Sequence, residues 1–153
     1  MMKSRKYFMR LACLVAAELI STRFSTPAAP PPPDQRVGRV DAFFQSYGCP
    51  VPNHAADYVR AADEYGIDYR ILPVISLLET TCGSYQRANN HWGWNSGNTG
   101  FGSVPQGIDF ITRQLAEGEP YRQRDLDRKL FAYNPFSAYV SAAKRLMREI
   151  DDY

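Results

Sequence analysis

From Val37 to the end of the chain, apolar residues recur at intervals of three and four, the spacing that lays one stripe along a helix. Strand-like alternation is confined at most to a glycine-rich middle. The pattern predicts a mainly α domain. Val40, Phe43, Phe44 and Tyr47 mark a first helix that stops at Gly48-Cys49-Pro50. Asn53 is placed to cap a second, which carries Ala55, Tyr58, Val59 and Ala62 as far as Gly66. Asp68 caps a third, Tyr69 to about Thr81, with Pro73 near enough to its start to be tolerated with a slight bend; Gly83 ends it. Pro105 opens a fourth helix with Ile108, Phe110, Ile111 and Leu115, closed by Gly118. A fifth spans about Asp125–Tyr133, and beyond Asn134-Pro135 a sixth carries Tyr139, Val140, Ala143, Leu146, Met147 and Ile150. Short connections join them, as in a compact helical domain, and no internal repeat is present.

Residues 83–104 break the pattern. They are too rich in Gly and Asn for a helix and too rich in Trp, Tyr and Phe for a linker, so a cleft-forming loop or short hairpin is expected. Tyr85, Trp92, Trp94 and Phe101 offer flat faces for stacking on sugar rings, although at least one of the two tryptophans is expected in the core. Asn89, Asn90, Asn95 and Asn98 offer donors and acceptors to hydroxyl and acetamido groups. The set suits an oligosaccharide cleft.

One residue of the third helix does not fit its face. Ile71 and Ile75 are one turn apart, and four further residues lead to Glu79, where an apolar side chain would continue the stripe. A carboxylate there lies in the last helical turn, where the negative end of the macrodipole disfavours an anion, and partial burial acts in the same direction. A carboxylic acid that keeps its proton is what general-acid cleavage of a glycosidic bond requires. The plainer alternative is a Glu that reaches past the helix end or pairs with Arg70 or Arg87.

Charge and composition sharpen the picture at the N-terminus. Lys3, Arg5, Lys6 and Arg10 precede the short apolar run Leu11-Ala-Cys-Leu-Val-Ala-Ala17, the layout of a secretory leader over residues 1–29, cleaved or kept as a signal anchor. Lipid attachment at Cys13 has little support, because Arg10 occupies a position that calls for an aliphatic residue. Pro27-Ala-Ala-Pro-Pro-Pro-Pro33 reads as an extended spacer, with a proline-rich linker at 30–36 and the domain at 37–153. Residues 34–153 hold slightly more acidic than basic groups, which argues against a sequence-independent nucleic-acid binder. Without the leader two cysteines remain, Cys49 and Cys82, and in an oxidising compartment they read as one bridge. Closing a loop of roughly 33 residues contributes on the order of 3–4 kcal/mol. In a reducing compartment the same two residues would be buried thiols.

Other chemistries find no support. His54 and His91 stand in no zinc-binding pattern, so no metal or other cofactor is expected, and His91 is placed at the cleft rim. No nucleophile elbow is present. Gly97-Asn-Thr-Gly-Phe-Gly102 has neither a preceding strand nor a following Lys to make a phosphate loop.

The segment from Tyr65 to Gly83, with Leu77-Leu-Glu79-Thr-Thr-Cys-Gly83 at its end, resembles the signature of the lysozyme-like superfamily of lytic transglycosylases and endo-β-N-acetylglucosaminidases. Asn89-Asn-His-Trp-Gly-Trp94 is similar to a stretch of the glucosaminidase branch, and Tyr133-Asn-Pro135 resembles the tyrosine motif on the far side of that cleft. The likeness covers about residues 54–150. It implies a small lysozyme-like helical fold, a peptidoglycan or related N-acetylglucosamine-containing glycan as substrate, Glu79 as general acid and Tyr133 as its aid. Cys82 departs from the pattern and is read as an added bridge to Cys49. An exported, periplasmic or secreted monomer is expected, with membrane attachment through an uncleaved leader left open.

Hydrolysis by inversion or retention needs a second carboxylate or a substrate acetamido group, and residues 83–104 contain no Asp or Glu. Asp109, Glu117 and Glu119 are nearest in sequence, with Asp109 expected to face solvent. A single carboxylate fits a lytic transglycosylase, in which the sugar's own 6-hydroxyl closes an anhydro ring. A catalytically inactive glycan-binding or envelope assembly module competes with this, and so does a cytosolic interaction domain with reduced cysteines.

Overall fold

The computed structural model describes residues 32–153. The leader 1–29, Cys13 and the start of the proline-rich linker lie outside them. The described residues form one compact unit of six α-helices, with no strand among them. These are α1 (Gln35–Ser46), α2 (Ala55–Tyr65), α3 (Ile71–Thr80), α4 (Val104–Glu117), α5 (Leu126–Tyr133) and α6 (Ser137–Asp151). None of them is long and apolar enough to cross a membrane.

The helix ends follow local chemistry. Asp34 accepts the Arg36 amide at 2.9 Å, so α1 begins at Gln35, inside the segment that the sequence assigns to the linker. Ser103 and Asp125 cap α4 and α5 by accepting the amides of Gln106 and Arg128. Asn53 lies one residue before His54, which flanks α2, and Asp68 two before Arg70, which flanks α3, yet their side chains still accept the amides of Ala55 and Arg70.

Helix α3 runs through the centre. Ile71, Leu72, Val74 and Ile75 are all buried, as its near-continuous apolar sequence requires. Around it pack Phe43 and Phe44 of α1, Tyr58 and Val59 of α2, Ile108 and Ile111 of α4 and Leu146 and Ile150 of α6. The sulfurs of Cys49 and Cys82 stand at disulfide distance, with Cα atoms 5.5 Å apart, joining the α1–α2 connection to the turn after α3.

Of the two forms expected for the glycine-rich segment, a loop or a short hairpin, the structure has the loop. Ala88, Asn89, Gly93, Asn95, Ser96 and Gly97 all have φ between +50° and +76°, which curls the backbone where a strand would extend it. The result is a chain of turns with one 3-10 segment, Trp94–Gly97.

Candidate functional site

Glu79 sits half-buried in the last turn of α3. Beyond it the helix closes on left-handed residues: Thr81 N–H donates to Leu77 O at 3.1 Å and Cys82 N–H to Ser76 O at 3.0 Å. Thr80 then ties the glycine-rich loop to this end. Its hydroxyl donates to His91 O at 2.5 Å and accepts the Gly83 amide at 2.8 Å. Tyr133 of α5 holds the next residue of the same loop, its hydroxyl donating to Trp92 O at 2.5 Å. Gly93 is thereby laid against the carboxylate, so close that an added methyl would stand 3.2 Å from Glu79 Oε2. Its φ of +61° favours glycine for a second reason.

Two open grooves meet at Glu79. One, of about 580 Å³, is walled by Trp94, Tyr121, Tyr133, Asn134 and Glu119. The other, of about 520 Å³, is walled by Tyr85, Gln86, Arg87, Asn90 and Asn98. Glu79, Gly93 and Ser96 line both, so the carboxylate stands at their junction. Glu79 has no ion-pair partner among the described residues: Arg70 is engaged by Asp68 and Asp151.

The structure sorts the sequence-derived binding residues into two groups. Trp94 joins Tyr121 and Tyr133 in an aromatic wall, its ring centroid 6.0 Å from each of theirs. Tyr85 is 84% exposed and presents a free face. Asn95 and Asn98 also line the grooves. Trp92, by contrast, is 0% exposed, enclosed by Tyr58, His91 and Phe101, and has no face left for a ligand. Phe101 packs against Trp92 and Phe110, and Asn89 donates to Phe101 O; neither residue lines a groove. Asn90 touches the second groove, yet it is buried and spends its side chain on Trp94 N, Trp94 O and Thr99 O. It is a brace for the loop. His91 is not at the rim: it lies half-buried between Gly83 and Trp92, beside a small cavity lined by Cys82.

Three residues of the site were not singled out as binding or catalytic side chains by sequence. Tyr121 follows the Gly118-Glu-Pro120 turn and carries a ring into the first groove. Tyr139 reads as one more residue of an apolar stripe, but its hydroxyl is buried without a hydrogen-bond partner and faces the Glu79 carboxylate, short of bonding geometry. Burial first, and that carboxylate second, push the Tyr139 phenol far above its ordinary pKa. The same two causes raise Tyr133. Asn134 leaves its side-chain oxygen buried and unpartnered in the first groove. Of the carboxylates considered as a second group, Glu119 lines the first groove and pairs with Arg122. Asp109 instead accepts from Tyr65 and lies near Arg60, outside both grooves.

Among the described residues no cluster of His, Cys, Asp and Glu is placed to hold a metal ion. Comparison with protein-family models, with curated proteins and with solved structures finds no match for this chain.

Proposed function

We propose that the chain is a lysozyme-like glycosidase that cleaves β-1,4 bonds in peptidoglycan glycan strands, with Glu79 as general acid. The observation that carries this is the position of Glu79, half-buried and without an ion-pair partner among the described residues, where two grooves meet. A strand lying along both grooves sets one glycosidic oxygen over the carboxyl. Tyr85, Trp94 and Tyr121 supply stacking faces, and Asn95, Asn98 and Asn134 supply amides for hydroxyl and acetamido groups. Groove volumes of this size lie within the range usual for ligand sites.

In the first step the Glu79 proton passes to the bridging oxygen as the bond to the anomeric carbon breaks and positive charge spreads over the ring oxygen. The resulting carboxylate then takes a proton from the oxygen that attacks the anomeric carbon. If that oxygen is the sugar's own 6-hydroxyl, the product is an anhydro ring and one carboxyl suffices. Glu119 in the first groove favours a second route, inversion by a water held between two carboxylates, which needs a separation of about 6.5–9.5 Å. The Cys49–Cys82 pair fits an exported protein in an oxidising compartment.

Glu79→Gln tests the assignment. Fragment release from purified peptidoglycan is expected to fall at least a thousandfold while the unfolding midpoint stays level or rises, because a half-buried carboxyl is exchanged for an uncharged amide. Retained turnover would overturn it. Lost turnover in both forms with glycan still bound would move the assignment to a non-catalytic glycan-binding module.

A further inference from the structure

The two grooves differ in charge. The groove beneath Trp94 and Tyr121 has no cation in its lining and carries Glu119, which is paired with Arg122, whereas the opposite one carries Arg87 and no carboxylate besides the shared Glu79. Arg87 is exposed, and among the described residues it has no carboxylate partner. Arg39, Arg113, Arg124 and Arg148 also lack one among the described residues, but of these five arginines only Arg87 lines a groove at Glu79. Beside Arg87, and in the same groove, the Gln86 side-chain oxygen is buried and accepts nothing. A free guanidinium presents a planar fork of donors matched to a carboxylate, and an orphaned amide oxygen asks for an N–H. A neutral sugar hydroxyl answers neither as well as an acidic, amide-bearing substituent does.

We propose that Gln86 and Arg87 form a subsite for a sugar bearing an acidic substituent, which rests on the grooves holding a glycan strand. An alternating strand is then held in one register, with the acidic sugar over Arg87 and the neutral one against Trp94 and Tyr121. Only one of its two alternating linkages reaches Glu79. The carboxylate comes either from the lactyl ether of the sugar itself or from a peptide stem attached to it.

The test measures binding in the full chain carrying Glu79→Gln, so that strands stay intact, with and without Arg87→Gln. The probes are uncharged N-acetylglucosamine oligomers, stem-bearing peptidoglycan strands and strands stripped of their stems. Arg87→Gln is expected to weaken the acidic strands about tenfold and the neutral oligomers less than twofold, the loss expected of a charge-assisted hydrogen bond. A loss on stripped strands assigns the lactyl carboxylate, and a loss confined to stem-bearing strands assigns the stem. Equal effects on all three probes, or none, would overturn the subsite. If the native chain releases no fragments while the Arg87-dependent preference persists, glycosidase action fails and the subsite stands; if no probe binds, both fail.

Discussion

Gly38 and Gly107 both lie inside helices, and Gly→Ala at each separates helix propensity from packing. In an exposed helix interior the exchange gains about 1 kcal/mol. Gly38 on α1 is exposed, and an added methyl there meets nothing within 4 Å, so propensity acts alone. At Gly107 on α4 the methyl would stand 2.5 Å from Trp92 Cζ3 and 2.9 Å from Phe101 Cδ2. Trp92 cannot retreat: it is fully buried, with its ring edge-on to both Tyr58 and Phe101. Overpacking of this kind costs about 1–3 kcal/mol, and contact this short belongs in the upper half of that range. After the propensity gain, Gly107→Ala is expected to lose about 1–2 kcal/mol, lowering the midpoint by roughly 3–8 °C; Gly38→Ala should raise it by about 3 °C. Thermal and urea unfolding of the full chain followed by circular dichroism reads both. Turnover should fall at Gly107→Ala as well, because Trp92 carries the carbonyl that Tyr133 grips and precedes the Gly93 that rests on Glu79. A Gly107→Ala protein as stable as the parent would refute the packing of α4 on Trp92.

The two tryptophans should part company: Trp92→Ala costs about 3–5 kcal/mol of stability, whereas Trp94→Ala raises KM for glycan several-fold at a smaller stability cost, as urea titration and steady-state kinetics will show. Tyr139→Phe removes a buried hydroxyl that has no partner, so stability should hold or rise by about 1 kcal/mol. With KM unchanged, kcat should fall roughly ten- to a hundredfold if that hydroxyl closes on the Glu79 carboxylate during turnover, and an unaltered kcat would remove Tyr139 from the site. Burial, with a lesser contribution from His54, holds the His91 ring below its ordinary pKa of 6.5. The unfolded chain therefore takes up a proton that the fold resists, and the His91 contribution to stability is lost as pH falls from 6.5 towards the folded value. Urea midpoints between pH 7.5 and 5 should show a slope that His91→Gln flattens; an equal slope in that variant would rule His91 out as its source.

Much of the helical scaffold is legible because its boundaries are local. Asn53 and Asp68 accept amides at the starts of α2 and α3, Gly66 and Gly118 stop α2 and α4, and the apolar spacing between such signals needs no knowledge of partners. Glu79 was legible for a related reason, since a carboxylate on the Ile71–Ile75 stripe contradicts its own periodicity. The loop was less so. Trp92 and Trp94 are two residues apart and identical in chemistry, and the left-handed Gly93 between them helps to turn one ring into the core and the other to the groove. Composition cannot see that choice. Nor can it see that Ala88, Asn89, Asn95 and Ser96 adopt left-handed conformations, which is why a loop and a short hairpin both stood as expectations. Tyr121 and Tyr139 join the site only through tertiary packing, Tyr139 because α6 packs against α3, and nothing in their own neighbourhoods announces it.

The most direct test of Glu79 at the groove junction is to incubate the full chain, intact and as Glu79→Gln, with purified peptidoglycan and identify new sugar ends by mass spectrometry. New ends from the intact chain alone are expected, anhydro ends marking attack by the 6-hydroxyl and hydrated ends marking a water, with Glu119 then the first partner to replace. No new ends from a folded intact chain, or equal ends from Glu79→Gln, would contradict the assignment.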